Sequence, residues 1–109
     1  MKKTTARILF PIILLLGHPA LAAEPGVAEV AIIKYRFTPA EITINKGDKV
    51  VWTNREKRQY HSVWFEALGE AEPDYLFPGD SYERIFPKTG DFPYRCGPHP
   101  EMRGIVHVK

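Results

Sequence analysis

Cysteine is almost missing from this chain of 109 residues: Cys96 stands alone. That excludes an internal disulfide framework and any metal cage built of thiolates only. Histidine is scarce too, with His18, His61, His99 and His107 making four. Any metal or redox chemistry must therefore use few ligands of mixed type. No Cys-x2-Cys-His occurs, which excludes c-type haem attachment. No apolar run approaches the roughly 20 residues that span a bilayer. No long stretch keeps a helical apolar period. At 44% hydrophobic and 26% charged residues, the composition suits one soluble globular domain, neither disordered nor a multi-span membrane protein.

The first segment reads as a secretory signal over residues 1–22. Lys2, Lys3 and Arg7 form a positive start, Ile8 to Leu16 is a short apolar run broken by Pro11, and Ala20-Leu21-Ala22 is a small-x-small cleavage pattern. Cleavage falls after Ala22 or Ala23. No cysteine follows the run, so a lipoprotein anchor is excluded. Removing the segment takes 15 basic residues to 12 against 13 acidic ones, a net charge of −1 for residues 23–109. The basic balance thus belongs to the signal, and charge offers no argument for nucleic-acid binding. The expected mature domain, 23–109, is small enough to need a disulfide or a metal to reinforce its core. With one cysteine in an oxidising compartment, the thiol is either buried or ligated.

The remainder reads as short strands between turns, punctuated by ten prolines and eight glycines. Val27 to Tyr35 is a β-rich opening. Glu41 to Asn45 alternates, with Ile42 and Ile44 on one face. Lys46-Gly47-Asp48 is a turn. Lys49 to Asn54 follows, Val50 and Trp52 on one side. His61 to Phe65 alternates, putting His61 with Val63 and Phe65. Ser81 to Pro87, Asp91 to Cys96 and Arg103 to Lys109 complete the set, the last with Val106 and Val108 inward and His107 outward at the surface. Ala67 to Ala71 reads as a helical turn before Pro73. The pattern predicts an all-β antiparallel sandwich or barrel of about seven to eight strands. Trp52, Trp64, Phe65, Phe86, Phe92 and Tyr94 are read as core or support for the site. Asn54 and Glu56 are read as shaping the loop before His61.

The chemistry sits in Cys96-Gly97-Pro98-His99-Pro100-Glu101-Met102. A thiolate, an imidazole and a thioether recur at three-residue steps. Pro98 and Pro100 disfavour a helix, so the window reads as a loop arching around one small centre. A soft thiolate with a thioether favours copper over hard cations. The loop needs a ligand from elsewhere, and His61 is the good candidate. Two histidines and a cysteine with a weak axial methionine is a blue-copper electron-transfer set.

These residues carry a family resemblance. Asp91 to Gly104 resembles the ligand loop of the cupredoxins, within the plastocyanin-like group and above all the amicyanins, whose short loop has the same two-residue gaps on each side of the histidine. Trp52 to Glu56, His61 to Phe65 and Leu68 to Ala71 resemble further amicyanin segments, so the likeness runs from about Ala31 to Lys109. It implies a Greek-key β-sandwich, one type 1 copper ion cycling between Cu(I) and Cu(II), and the ligands His61, Cys96, His99 and axial Met102. It also implies a monomeric, periplasmic one-electron shuttle, not an enzyme. The partner it implies is a redox protein such as a c-type cytochrome or a dehydrogenase, meeting it transiently, with the His99 ring edge as the electron portal amid Gly97, Pro98 and Pro100.

The chain departs from that pattern. One extra residue lies between Asn54 and His61, and Tyr60 stands where the family usually has proline. Ser62 replaces asparagine and Gly97 replaces threonine; together these predict loss of a tie between the ligand loop and its neighbouring segment. Glu101 puts a negative charge near the docking patch. Arg55, Lys57, Arg58 and Arg103 are read as a charged rim that steers an acidic or mixed-charge partner. The rival reading is a periplasmic copper carrier or resistance protein using the same ligands. A Cys/His nucleophile pair is disfavoured because no third orienting residue or oxyanion loop is evident.

Overall fold

The computed structural model describes residues 24–109; the expected signal at residues 1–22 lies outside the described residues. Seven strands follow in order: β1 (Val27–Ile33), β2 (Arg36–Thr38), β3 (Glu41–Ile44), β4 (Lys49–Asn54), β5 (Ser81–Ile85), β6 (Gly90–Arg95) and β7 (Arg103–Val108). They form two sheets, one ordered β2-β1-β4-β5 and the other β3-β7-β6. Among the described residues no helix is long and apolar enough to cross a membrane.

The period-2 pattern does most of the local work. In β4 the side chains of Val50, Trp52 and Asn54 point inward and are buried, and their neighbours are half-buried. Val30 and Ile32 of β1, Ile44 of β3, and Val106 and Val108 of β7 do the same. Trp52 lies at the centre, its ring 5.4 Å from Tyr94, 5.6 Å from Tyr82 and 6.0 Å from Phe65. Full burial of each such side chain contributes roughly 1.5–3 kcal/mol. Phe65, Phe86 and Tyr94 are also core, and Phe92 packs against it half-buried. Trp64 is half-buried outside the core, stacked under the Arg95 guanidinium at 4.8 Å.

The turn before β4 shows how local chemistry sets register. Gly47 takes φ +94°, a conformation that side chains disfavour. The Asp48 carboxylate accepts from the N–H groups of Asn45 (2.9 Å) and Gly26 (2.7 Å), tying the turn to the start of β1.

Four readings change. The sandwich is not wholly antiparallel: β1 runs parallel to β4, and β3 parallel to β7. The chain crosses between sheets after β2, β3 and β5, so strands distant in sequence become neighbours. The opening strand stops at Ile33, because Lys34 (φ 56°) and Tyr35 (φ 59°) form a tight turn into β2. His61 to Phe65 is not a strand; this segment crosses the sandwich end, bridging Leu76 at His61 and Arg95 at Trp64. Consequently His61, Ser62, Val63 and Phe65 are all buried rather than alternating. The helical turn lies at Glu66–Leu68, one residue earlier, and is closed by Gly69 in the left-handed region. The connection beyond it is pinned by Arg84, which pairs with Glu70 and lies 4.4 Å over the Phe65 ring.

Candidate metal centre

Three elements meet at one end of the sandwich: the crossing at His61, the end of β6 at Cys96, and the loop leading into β7. The loop is closed on itself. Cys96 N–H donates to the Met102 carbonyl (3.0 Å), and Met102 N–H to that of His99 (2.9 Å). Seven residues with two prolines are thus drawn into a tight arch, with Cys96 and Met102 buried at its feet and His99 half-buried at its crown.

The arch and the crossing bring together His61, Cys96 and His99, whose ligand atoms lie within 4.8 Å of one another. His61 Nδ1 is 3.1 Å from His99 Nδ1, and Cys96 Sγ is 3.6 Å from each nitrogen. For a triangle with those sides, the centre lies about 2.0 Å from every corner, which matches metal–imidazole bonds of roughly 2.0–2.1 Å. Met102 is buried at the foot of the same loop, 3% exposed, its backbone bonded to Cys96 and His99.

The surroundings prepare these groups for a cation. His61 is wholly buried, and its Nε2 meets Glu56 Oε2 at 2.9 Å. With that carboxylate accepting from Nε2–H, Nδ1 carries a bare lone pair aimed into the triangle. This is how an outer carboxylate orients a ligating histidine. Burial holds His61 below the usual imidazole range, with His99 adding to this and Glu56 opposing it. For Glu56, burial pushes upward, but bonds from the Tyr35 N–H and the His61 ring outweigh it and hold the carboxyl low. Burial pushes the Cys96 thiol up, against hydrogen bonding from Ser62 N–H at 3.4 Å. A buried pocket that disfavours an isolated thiolate, with the ring nitrogens of His61 and His99 gathered around it, suits a bound metal ion, whose charge deprotonates a coordinating thiol.

Asn54 and Glu56 have the shaping role read from the sequence. Asn54 Nδ2 donates to the carbonyls of Gln59 and Leu76, both at 2.8 Å, and Asn54 Oδ1 accepts from Glu56 N–H at 2.9 Å. The tie expected to be lost at Ser62 and Gly97 is present in another form: Gly97 N–H donates to Ser62 Oγ at 2.8 Å. A β-carbon at Gly97 would collide with the Glu72 carboxylate and crowd that hydroxyl, so glycine suits this packing. The short serine reaches the loop backbone directly.

Two contributors went unread in the sequence. Tyr35 sets its ring edge-on to His61 (5.4 Å) and His99 (4.9 Å). It does so from a left-handed turn that ordinarily takes glycine or asparagine, so no motif marked it. Arg95 donates to the carbonyls of Cys96 (3.1 Å) and Gly97 (2.9 Å) and pairs with Glu66; adjacency to Cys96 was its only signal. His107 is also more than a surface residue. It is half-buried between Asp91 and Glu41, bonded to both.

A two-sheet sandwich presenting one cysteine sulfur and two imidazoles from a tight loop and a neighbouring crossing defines a small copper-binding β-protein. The chain belongs to the cupredoxin family: residues 6–108 match the model of the cupredoxin-like domain. It is 38% identical over 97 residues to amicyanin of Paracoccus denitrificans, covering 84% of this chain and 73% of that one. It is 36% identical over 91 residues to amicyanin-alpha of Methylorubrum extorquens, covering 80% and 76%. A solved copper(I) form of an amicyanin variant superposes with TM-score 0.70 at 35% identity, covering 83% of this chain and 88% of that one. Copper is the cofactor, matching the softness of the donors.

Proposed function

We propose that this chain is a type 1 copper protein carrying single electrons between redox partners in the periplasm. His61, Cys96, His99 and Met102 would hold the copper ion. The observation that carries this is the convergence of Cys96 Sγ with two imidazole Nδ1 atoms inside 4.8 Å, on a braced scaffold. Bound copper supplies a one-electron Cu(II)/Cu(I) couple. The protein's part is to keep the donor positions unchanged across that couple. The Cys96–Met102 and His99–Met102 backbone bonds close the loop, Ser62 ties it to the crossing, and Glu56 holds the His61 ring. Burial of His61, Cys96 and Met102 keeps water from joining the set. His99 is half-buried and supplies the ring edge through which a partner reaches the centre.

In this reading the first 22 residues direct export and are removed, leaving a monomeric periplasmic carrier with no membrane insertion, no nucleic-acid role and no catalytic turnover of its own. Its partners are redox proteins, of the c-type cytochrome or dehydrogenase kind. They are met through small transient interfaces, below about 1,200 Å².

The test is an absorption and EPR spectrum of the mature protein with copper(II), followed by electron self-exchange measured by NMR. An intense blue thiolate-to-copper band with narrow hyperfine splitting, lost in Cys96→Ser, together with fast self-exchange, is expected. Slow self-exchange with ready transfer of copper(I) to a chelator would instead define a copper carrier.

A further inference from the structure

The described surface carries most of its ion-paired cations away from the loop before His61: Lys49 pairs with Glu83, Arg84 with Glu70, and Arg95 with Glu66. Lys34, Arg55, Lys57 and Arg58 do not pair; none has a carboxylate within salt-bridge distance among the described residues. These four line one groove of about 490 Å³, together with Ile33, Glu56 and Gln59. Arg103, placed in the same rim on sequence grounds, lines a separate cavity with Trp64 and Arg95. Lys34 takes its place, brought in by the β1–β2 turn.

The single carboxylate in the groove does not neutralise it. Glu56 is 12% exposed, and its Oε2 is engaged by the His61 ring and by Tyr35 N–H. Nor is the groove free to splay apart. Arg55 N–H is bonded to the Ile32 carbonyl at 2.8 Å, and the Asn54 side chain holds Gln59. Four basic residues therefore line one groove with a braced backbone, on a domain whose net charge is −1 by the count above. The groove also adjoins the metal centre: Glu56 touches His61, and Tyr35, next to Lys34, has its ring 4.9 Å from that of His99.

We infer that this groove is a docking surface for the acidic face of a redox partner protein. The inference rests on the electron-carrier reading and names the chemistry of that carrier's partner. A compact concave cluster on a net-negative domain fits a few side-chain carboxylates. A net charge of −1 gives the domain little general attraction to nucleic acid or anionic membrane, and the groove's place beside the metal centre favours a redox partner. Docking there steers an acidic partner to the end of the molecule that holds the two histidines, raising the encounter rate more than the affinity.

The test compares the reduced copper-loaded protein with its Lys34→Gln/Lys57→Gln/Arg58→Gln variant. None of the three side chains belongs to the metal site. Oxidation is followed by stopped flow with hexacyanoferrate(III) and, separately, with the cation tris(phenanthroline)cobalt(III). In the first reaction one electron leaves the protein and hexacyanoferrate(III) becomes hexacyanoferrate(II). The wild type should react about tenfold faster than the variant with hexacyanoferrate(III) at low salt, a modest case of electrostatic steering. The gap should close as ionic strength rises from about 10 mM to about 150 mM and the Debye length falls from roughly 30 Å to 8 Å. The cobalt cation should show no such advantage for the wild type. A hexaglutamate peptide should shift the wild-type amides of Lys34 and residues 55–59, and not those of the variant. Equal rates for both proteins at low salt, or peptide shifts elsewhere on the surface, overturn the docking surface while leaving the carrier reading intact. Tighter retention at 150 mM salt on anionic phospholipid vesicles or on single-stranded oligonucleotide than on hexaglutamate also overturns it. No oxidation of the wild type by either reagent sinks the carrier reading itself.

Discussion

Replacing Ser62 with alanine tests what holds the ligand loop in place. Ser62 is fully buried, and its Oγ is the acceptor for Gly97 N–H at 2.8 Å. The alanine variant deletes one oxygen and leaves the backbone bond from Ser62 N–H to Cys96 Sγ in place. The Gly97 N–H then loses its partner. An orphaned donor of this kind costs about 1–3 kcal/mol. For a domain of this size each kcal/mol lowers Tm by about 4–8 °C, so a fall of roughly 5–20 °C is expected. Amide exchange at Gly97 should accelerate about 5- to 150-fold, since 1.4 kcal/mol is a factor of ten. Both are read on the copper-free protein, where metal binding cannot mask the loss. Ser62→Thr keeps the hydroxyl and should restore protection at Gly97, although its extra methyl crowds the core. A Tm within about 2 °C of wild type, with unchanged exchange at Gly97, would refute the claim that this bond secures the loop.

Glu56→Ala removes the carboxylate that orients His61, and copper affinity should fall about 10- to 100-fold in chelator competition; unchanged affinity would deny Glu56 that role. Met102→Leu should keep the thiolate-to-copper colour and shift the midpoint potential, whereas loss of colour would place Met102 among the essential ligands. Asp91 and Glu41, in that order, raise the affinity of His107 for its proton. The stability this adds is fully present below the unfolded imidazole value of about 6.5 and lost as pH rises through the raised folded value. Thermal scans should therefore show Tm declining over that upper window, and His107→Gln should flatten the decline; an unaltered slope in the variant would refute the assignment.

The structure accounts for why some of this was legible in advance. Cys96, His99 and Met102 lie within seven residues, so their spacing alone limits how far apart they can sit. Alternation in β3, β4 and β7 reports which side faces the core, because burial on one face imposes a period of two. The crossing at residues 61–65 misled for the same reason. Its alternating pattern resembles a strand, yet both sides are covered, one by the ligand loop and the other by the core.

The amino-acid order by itself determined the β character, the inward faces of the strands, and the donor triad of the loop, all of which depend on neighbours a few residues apart. Only the folded chain decided that β1 runs parallel to β4, that His61 meets a loop 35 residues away, and that Ser62 grips Gly97. It alone placed Lys34 beside Arg55 and set the Tyr35 ring against both histidines. Those contacts join segments that meet only after the sheets have packed, and no local spacing encodes which distant backbone a short side chain will find.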